Sequence, residues 1–478
     1  MKDDIDTDVA IIGAGAAGVL CSYAFNEFGL DVVLVDSKNI CSGVTSKTTA
    51  KITSQHGLIY HKLRKSFGDD LAFLYAKSNE DAIKMYQEII SKEKIQCDFS
   101  KLRSYLYTTE DKRISDIEEE ARSSNLYKIR SSLIDKIELP FSIKAGVSFE
   151  DQAQFNPLKF FYEIVKLLSL KDNYHIYENT RVFKIEDDIV YTEANKIKAK
   201  YIIVCTHFPI MNNHGAYFLK MYQERSYVLG LDINNPLKGM YLSVDDDGFS
   251  FRDYCMEDSN ILLFGGMKHK TGHNELGDNF ERLMHSASEL YPNSEVKYRW
   301  SAQDSMPLDD VPYIGLYSPR TPNMFVATGF KKWGMTLSMV ASQVIRDLIL
   351  YGKSEYESLY DPSRVKLTQS IKNFTQSTGD TIKNFVKGQF TIPKAKFEDL
   401  PISHGGTVEY DGEKIGIYKD ENGEIYAVKP VCSHLGCALQ WNPDEKTWDC
   451  PCHGSRFDKN GKVVDSPAIN DLDKIELV

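Results

Sequence analysis

The 478-residue chain contains no run of about 18 consecutive apolar residues, so no segment is long enough to cross a bilayer as a helix. Basic residues are in deficit. Against 68 Asp and Glu stand 57 Lys and Arg, a net charge of −11, whereas a phosphate-rich partner such as nucleic acid calls for basic surface. A secretory leader is missing as well. The first residues, MKDDIDTD, are acidic where a leader is positive, and neither a small-residue cleavage site nor a twin arginine follows. The expected location is the cytoplasm. Cysteine is sparse over most of the chain: Cys21, Cys41, Cys97, Cys205 and Cys255 are scattered, which in that compartment means free, mostly buried thiols.

What is present is unevenly distributed. At 42% hydrophobic and 26% charged residues the chain reads as globular, and its length suits two or three domains. Residues 390–478 hold 10 basic and 16 acidic residues, so more than half of the net charge lies in the last fifth of the chain. That shift marks a separate domain. Cys432, Cys437, Cys450 and Cys452 fall within 21 residues, and such clustering in an intracellular protein points to metal before it points to a disulfide framework.

Near the N-terminus, residues 9–12 form a short apolar run, a buried parallel strand by pattern. GAGAAG follows, then a helical stretch, then DVVLVD as a second strand. In a dinucleotide fingerprint Gly13 permits the tight turn, Gly15 lets the backbone approach a pyrophosphate, and Gly18 lets the helix pack on the strand. Asp36 ends the second strand, where a carboxylate accepts from a ribose hydroxyl. Residues 60–130 have helical spacing, and residues 225–269 carry strand-like runs that suggest an antiparallel sheet.

The fingerprint alone does not choose FAD over NAD. Further along, SGVTSKTTAK (42–51), KYIIVCTHFP (200–209) and VPYIG…NMFVATGFKKWGMTLS (311–338) occur in the order found in flavoproteins of the D-amino-acid oxidase/glycine oxidase superfamily, which residues 7–350 resemble. The resemblance implies FAD held by the glycine loop (Gly13, Ala14, Gly15, Ala16, Ala17, Gly18), by Asp36 and Ser37, and by Thr45, Lys47, Thr48 and Thr49. It also implies contacts from Val182 and from Gly329, Gly334, Met335 and Thr336. One departure bears on the substrate. Amino-acid oxidases of this superfamily fix a carboxylate with an arginine just before the PYIG segment, and here Gln303 stands at that place. Arg299 lies earlier, and Lys331 and Lys332 follow the glycine turn. A lysine is only a point charge where an arginine grips both oxygens, so an amine without a carboxylate gains ground over an α-amino acid.

At the other end the chain reads Cys432-x-His434-x-x-Cys437, then Cys450-x-Cys452-His453. Two Cys and two His could hold zinc. The full pattern CSHLGC…CPCHGS resembles the Rieske family over roughly 390–478. The resemblance implies a [2Fe–2S] cluster with Cys432 and Cys450 on one iron and His434 and His453 on the other. It implies a disulfide between Cys437 and Cys452, and ligand histidines at an exposed tip that meets a redox partner. High-potential members carry Ser-x-Tyr after the glycine. Here Ser455 is present and Phe457 replaces the tyrosine, so one hydrogen-bond donor to the cluster is lost.

The expected architecture is therefore α/β plus β: a Rossmann-type FAD-binding domain with an antiparallel-sheet substrate domain, glycine oxidase-like, followed by an all-β Rieske domain. FAD-binding segments are expected at about 1–55, 150–210 and 305–352, and substrate segments at about 56–149 and 210–304. The Rieske domain is expected at 390–478. Residues 353–389 form a helical connector in which Ile371, Phe374, Ile382 and Phe385 share one face with Lys372, Lys383 and Lys387 beside it. That face either docks domains together or touches a membrane surface.

The expected function is a dehydrogenase for a small amine or amino-acid-like substrate, passing electrons from FAD through the cluster to an external acceptor. Two alternatives are an NAD(P)H-to-Rieske reductase, for which a second nucleotide fold is lacking, and a redox sensor without turnover. The pattern singles out no general base. Lys51, His269 and Lys331 are the candidates, with Lys270 and His273 in the same loop as His269, and Trp300, Tyr313 and Trp333 as candidate cavity walls.

Overall fold

The computed structural model describes residues 3–211, 214–256, 259–274, 277–364 and 400–477. The chain forms two compact units that do not follow its order. The first comprises Met1–Gly215, Ser226–Met267 and Leu283–Val365; the second comprises Ala216–Arg225, Lys268–Arg282 and Lys366–Val478.

In the first unit the apolar run near the N-terminus becomes the strand Ile5–Ile12, whose last four residues are fully buried. It lies between Val32–Val35 and Lys196–Val204, parallel to both. Tyr174–Tyr177 extends the sheet on one side and Met324–Thr328 on the other, again in parallel. A strand buried on both faces reads as an unbroken apolar run, and VVLV is fully buried. The helices Ala16–Ala24 and Gly334–Tyr351 pack together against this sheet. The helix Pro157–Ser169 starts where Asn156 accepts from the Leu158 and Lys159 amides, with proline in the first helical position.

A second sheet runs in the order Glu295–Pro307, Met221–Ile233, Asn260–Lys270, Ser250–Cys255, Gly239–Ser243, Ser100–Thr108, Ala145–Gln154, Lys51–Ile52. Within 225–269 the strands pair antiparallel as expected, Gly239–Ser243 with Ser250–Cys255 and Ser250–Cys255 with Asn260–Lys270, while Gly239–Ser243 also pairs in parallel with Ser100–Thr108. More than a hundred residues separate those strands, so no hairpin dictates their relative direction. Ser100–Thr108 also interrupts the stretch expected to be helical. Its SKLRSYLYT alternates charged and apolar residues in a way that short windows fit to either period. The long helix Asp69–Glu93 does carry the helical pattern, burying Ala72, Tyr75, Ala76, Asn79, Ile83 and Tyr86 on one side, with Asp69 and Asp70 at its positive end.

In the second unit, His404–Tyr410, Glu413–Lys419 and Ile425–Val428 form one antiparallel sheet. Gln440–Asn442, Thr447–Asp449, Arg456–Asp458 and Val463–Asp465 form another. Trp441 and Trp448 pack on Gly405 and Gly416, where any side chain would collide with the indole rings. Tyr418, Trp448 and Phe457 complete this core. Of the expected connector, a short helix Glu357–Tyr360 is seen; the face formed by Ile371, Phe374, Ile382 and Phe385 lies outside the described residues. No helix among the described residues is long and apolar enough to cross a membrane.

Candidate functional site

The glycine loop sits at the C-terminal end of Ile5–Ile12. Gly13 has φ +100°, and a Cβ there would come within 2.6 Å of the Cys205 carbonyl oxygen; a Cβ on Gly18 would strike the Gly13 carbonyl. Only glycine fits either place. Thr45 is buried behind the loop, and its Oγ1 accepts from the Ala16 amide at 3.0 Å. Asp36 accepts from the Ala14 and Lys38 amides, each at 2.8 Å, and burial raises its pKa. Ser37 is exposed beside it. The Ala17 side chain is buried within the helix start, and Val182 opens a strand with its side chain buried.

The loop after the second strand is tied down from several sides. The Lys47 carbonyl accepts from the Trp300 indole at 2.8 Å, Thr48 Oγ1 accepts from the Ala50 amide at 3.0 Å, and the Thr49 carbonyl accepts from the Arg252 guanidinium. Gly329 has φ +76°, and Gly334 begins the helix Gly334–Tyr351. The Met335 carbonyl accepts from Tyr86, and Thr336 Oγ1 donates to the Thr53 carbonyl at 3.2 Å.

His56 belongs to this arrangement and escaped the sequence reading. Its Nδ1 meets Tyr75 Oη at 2.7 Å, its Nε2 meets the Thr53 carbonyl at 2.7 Å and Thr336 Oγ1 at 3.1 Å, and its ring stacks on Trp333 at 4.7 Å. Burial pushes it down to about 3, so it is a neutral imidazole that fastens the loop to the helix start. A lone histidine in SQHG gives no signal of this. Arg252, whose guanidinium donates to the Phe155 carbonyl as well as to Thr49, is a second residue with no signal in the sequence.

Each of the catalytic candidates is held by its own neighbours. Lys51 Nζ donates to the Tyr241 carbonyl at 3.0 Å and to Ser250 Oγ at 2.6 Å. Burial, reinforced by Arg252, pulls it down to about 7. Lys331 is ion-paired with Asp310 at 2.7 Å. His269 belongs to the second unit, where its Nδ1 faces the Lys270 carbonyl at 3.0 Å and burial lowers its pKa.

In the second unit two loops of the same shape face each other. The Gly436 amide donates to the Cys432 carbonyl and the Gly454 amide to the Cys450 carbonyl, both at 2.9 Å. Both glycines have φ +77°, which a side chain would resist. The Cys437–Cys452 disulfide joins the loops. Cys432 and Cys450 are buried side by side: the Cys450 thiol donates to Cys432, pulling Cys432 down to about 7 and pushing Cys450 up. The rings of His434 and His453 lie 5.2 Å apart. Burial holds both at about 4, so both are neutral. Among the described residues, both nitrogens of His434 and Nδ1 of His453 are buried without a hydrogen-bond partner.

The chain's similarity to known proteins agrees with this geometry. Residues 8–348 match the FAD dependent oxidoreductase family, and residues 391–476 match the Rieske [2Fe-2S] domain. The chain belongs to the FAD-dependent oxidoreductases. It is 36% identical over 484 residues to YhfW of Bacillus subtilis (strain 168), whose name describes it as a Rieske 2Fe-2S iron-sulfur protein; the match covers 100% of this chain and 95% of that one. An iron-sulfur subunit of the cytochrome b6-f complex from Cyanophora paradoxa is 37% identical over 93 residues, 20% of this chain and 38% of that one. In fold, the chain is similar to glycine oxidase from Geobacillus kaustophilus (TM-score 0.64, 17% identity, 76% of this chain and 100% of that chain). It is similar also to L-proline dehydrogenase from P. horikoshii (TM-score 0.60, 15% identity, 76% and 98%).

The residues fit the two cofactors that this flavoprotein–Rieske pairing implies. The glycine loop carries no side chain larger than alanine, as the close approach of a pyrophosphate needs. The paired thiols and the partnerless neutral imidazoles form the donor set of a Rieske centre, and buried polar atoms without partners are otherwise rare.

Behind the second loop lies a buried ionic network that the sequence did not reveal. Arg456, 2% exposed, ion-pairs with Asp449 and Asp465 at 3.0 Å each and with Glu445 at 3.1 Å. Asp449 immediately precedes Cys450 and also accepts from Asn442 and Thr447. Ser455 Oγ accepts from the Ala468 amide at 3.0 Å and donates to the Cys432 sulfur. Phe457 is fully buried and brings no hydroxyl.

Two outcomes follow from this geometry. Arg456→Met leaves its carboxylates buried without a cation and should cost about 3–5 kcal/mol, read as a lower denaturation midpoint of the cluster's circular dichroism; a loss below about 1 kcal/mol would mean that the network is solvated. Lys51 releases its proton near pH 7 in the folded chain and near 10.5 when unfolded. Between those values the unfolded state binds more protons, so stability should rise with pH. Thermal unfolding of Lys51→Met should lack that rise, and an unchanged slope would contradict the assignment.

Proposed function

We propose that the chain oxidises the C–N bond of a small amine and delivers the two electrons, one at a time, to an external acceptor through its Rieske centre. The observation that carries this reading is the buried, paired thiols of Cys432 and Cys450 beside His434 and His453, whose imidazoles hold buried nitrogens without partners among the described residues, in a chain whose remaining bulk has an amino-acid oxidase-like flavoprotein fold. FAD supplies two-electron oxidation and a [2Fe–2S] centre supplies one-electron transport.

The chain's own residues would divide the binding work. The backbone of Gly13, Ala14, Gly15, Ala16, Ala17 and Gly18 would cradle the pyrophosphate, with Asp36 and Ser37 at the ribose and Val182 at the adenine. Thr45, Lys47, Thr48 and Thr49 would line the flavin, and the helix start at Gly334, Met335 and Thr336, following Gly329, would face the flavin ring with its amides. Cys432, His434, Cys450 and His453 would hold the iron.

Preference for an amine over an α-amino acid is supported by where the cations are engaged. Lys331 is paired with Asp310, Lys332 with Asp304 at 3.1 Å, and Arg299 is exposed. Gln303, buried on Glu295–Pro307, carries no charge. A substrate carboxylate would have to displace an existing ion pair. Lys51, at about 7, would be able to hold or release a proton at Nζ near neutral pH.

Anaerobic mixing with matched pairs, each an amine and its α-carboxylated counterpart, tests the reading. The amine is expected to bleach the flavin faster. Bleaching by NADH or NADPH alone would overturn the reading in favour of a reductase. Phe457 in place of a hydroxyl donor predicts a cluster potential below the top of the Rieske range, about +300 mV. Phe457→Tyr should raise the potential in protein-film voltammetry, and an unchanged value would remove the hydrogen-bond explanation.

A further inference from the structure

The Rieske resemblance implies ligand histidines at an exposed tip. The second unit is built differently. The short 3-10 helix Tyr217–Leu219 sets the Phe218 ring against both imidazoles, 6.2 Å from His434 at 79° and 5.6 Å from His453 at 88°. The contact is edge to face, so the phenyl ring offers the imidazoles apolar cover and no hydrogen bond. Both nitrogens of His434 are buried without a hydrogen-bond partner among the described residues; one of them would hold iron, and the other would lie under the phenyl ring.

The covering segment is fastened in place. Tyr217 and Met221, on either side of Phe218, are 2% and 3% exposed. Arg225, 1% exposed, closes the segment with ion pairs to Glu445 and, at 3.8 Å, to Asp465, two of the carboxylates that also hold Arg456. The Thr271 amide donates to the Gln223 carbonyl at 3.0 Å, linking 216–225 to 268–282. That second segment is tied in turn to the cluster-binding part. Asn274 Nδ2 donates to Asp444 at 2.9 Å, and Asn279 Nδ2 donates to the same carboxylate at 2.8 Å. Gly272 lies so close to the Pro451 backbone that no side chain would fit between them.

We propose that the histidine edge of this Rieske centre is a closed surface, occupied by the chain's own 216–225 segment with Phe218 as its cap, and not the face on which a separate electron acceptor docks. An acceptor that binds by hydrogen bonding to a ligand imidazole is shut out, and the acceptor must approach from another side. The proposal rests on the cluster assignment and is independent of the substrate.

Diethyl pyrocarbonate, which modifies accessible imidazole nitrogens, tests it on the loaded holoprotein. Modification is mapped by mass spectrometry, with the EPR spectrum and flavin absorbance confirming that each sample carries both cofactors. His285, whose side chain is 75% exposed, serves as the internal reference. In the unaltered chain His434 should react at least about tenfold more slowly than His285, because modification must wait for local opening. Phe218→Ala should bring the two rates close together, and Phe218→Leu, which keeps apolar bulk, should fall between. Equal rates for His434 and His285 in the unaltered chain would overturn the proposal, as would a Phe218→Ala variant with intact cofactors and unchanged His434 protection. Should Phe218→Ala fail to load its cluster, the rate ratio in the unaltered chain and the Phe218→Leu variant decide the matter.

Discussion

Three imidazole nitrogens, two on His434 and one on His453, lie buried without a partner among the described residues, beside two hydrogen-bonded cysteines. A buried donor or acceptor without a partner costs on the order of 1–3 kcal/mol, so this corner is unfavourable unless something else binds there. Much of the second unit is organised around keeping it so. Two loops of matching hydrogen-bond pattern present the ligands, a disulfide joins them, and the Arg456 network fixes the residue before Cys450. Metal binding of this kind is coupled to folding, since the donor set exists only when the loops are formed.

The first unit meets a different constraint. Strand, turn and helix pack so closely that the Cys205 carbonyl leaves no room for a side chain at Gly13 and the Gly13 carbonyl none at Gly18, while Asp36 after the next strand accepts from the Ala14 amide. Around that cradle, lysines that might have gripped a carboxylate are spent on Asp310 and Asp304. The two units thus answer separate chemical demands, one for two-electron oxidation and one for single-electron transport.

The sequence carried the parts whose chemistry is local. GAGAAG with Asp36, and CSHLGC with CPCHGS, each gather their candidate residues into a few positions, and the residues of each set lie close together in the structure. What depends on distant pairing was not legible. Ser100–Thr108 looked helical because its partners, Gly239–Ser243 and Ala145–Gln154, are far away in the chain. His56 and Arg252 act through contacts with residues up to hundreds of positions distant. Arg456 directly follows CPCHGS, yet its carboxylates come from three different places. Phe218 had no signal at all: nothing in GAYFLK announces that it will cover histidines more than two hundred residues away.

The relay is the central claim, and its time course tests it most directly. Rapid freeze-quench after anaerobic mixing with a reactive amine would follow flavin bleaching by absorbance and the reduced Rieske centre by EPR in the same samples. The account predicts that the cluster signal grows in step with, or just after, flavin bleaching and approaches one reduced cluster per chain. A flavin that bleaches fully while the cluster stays oxidised through complete turnover would contradict it.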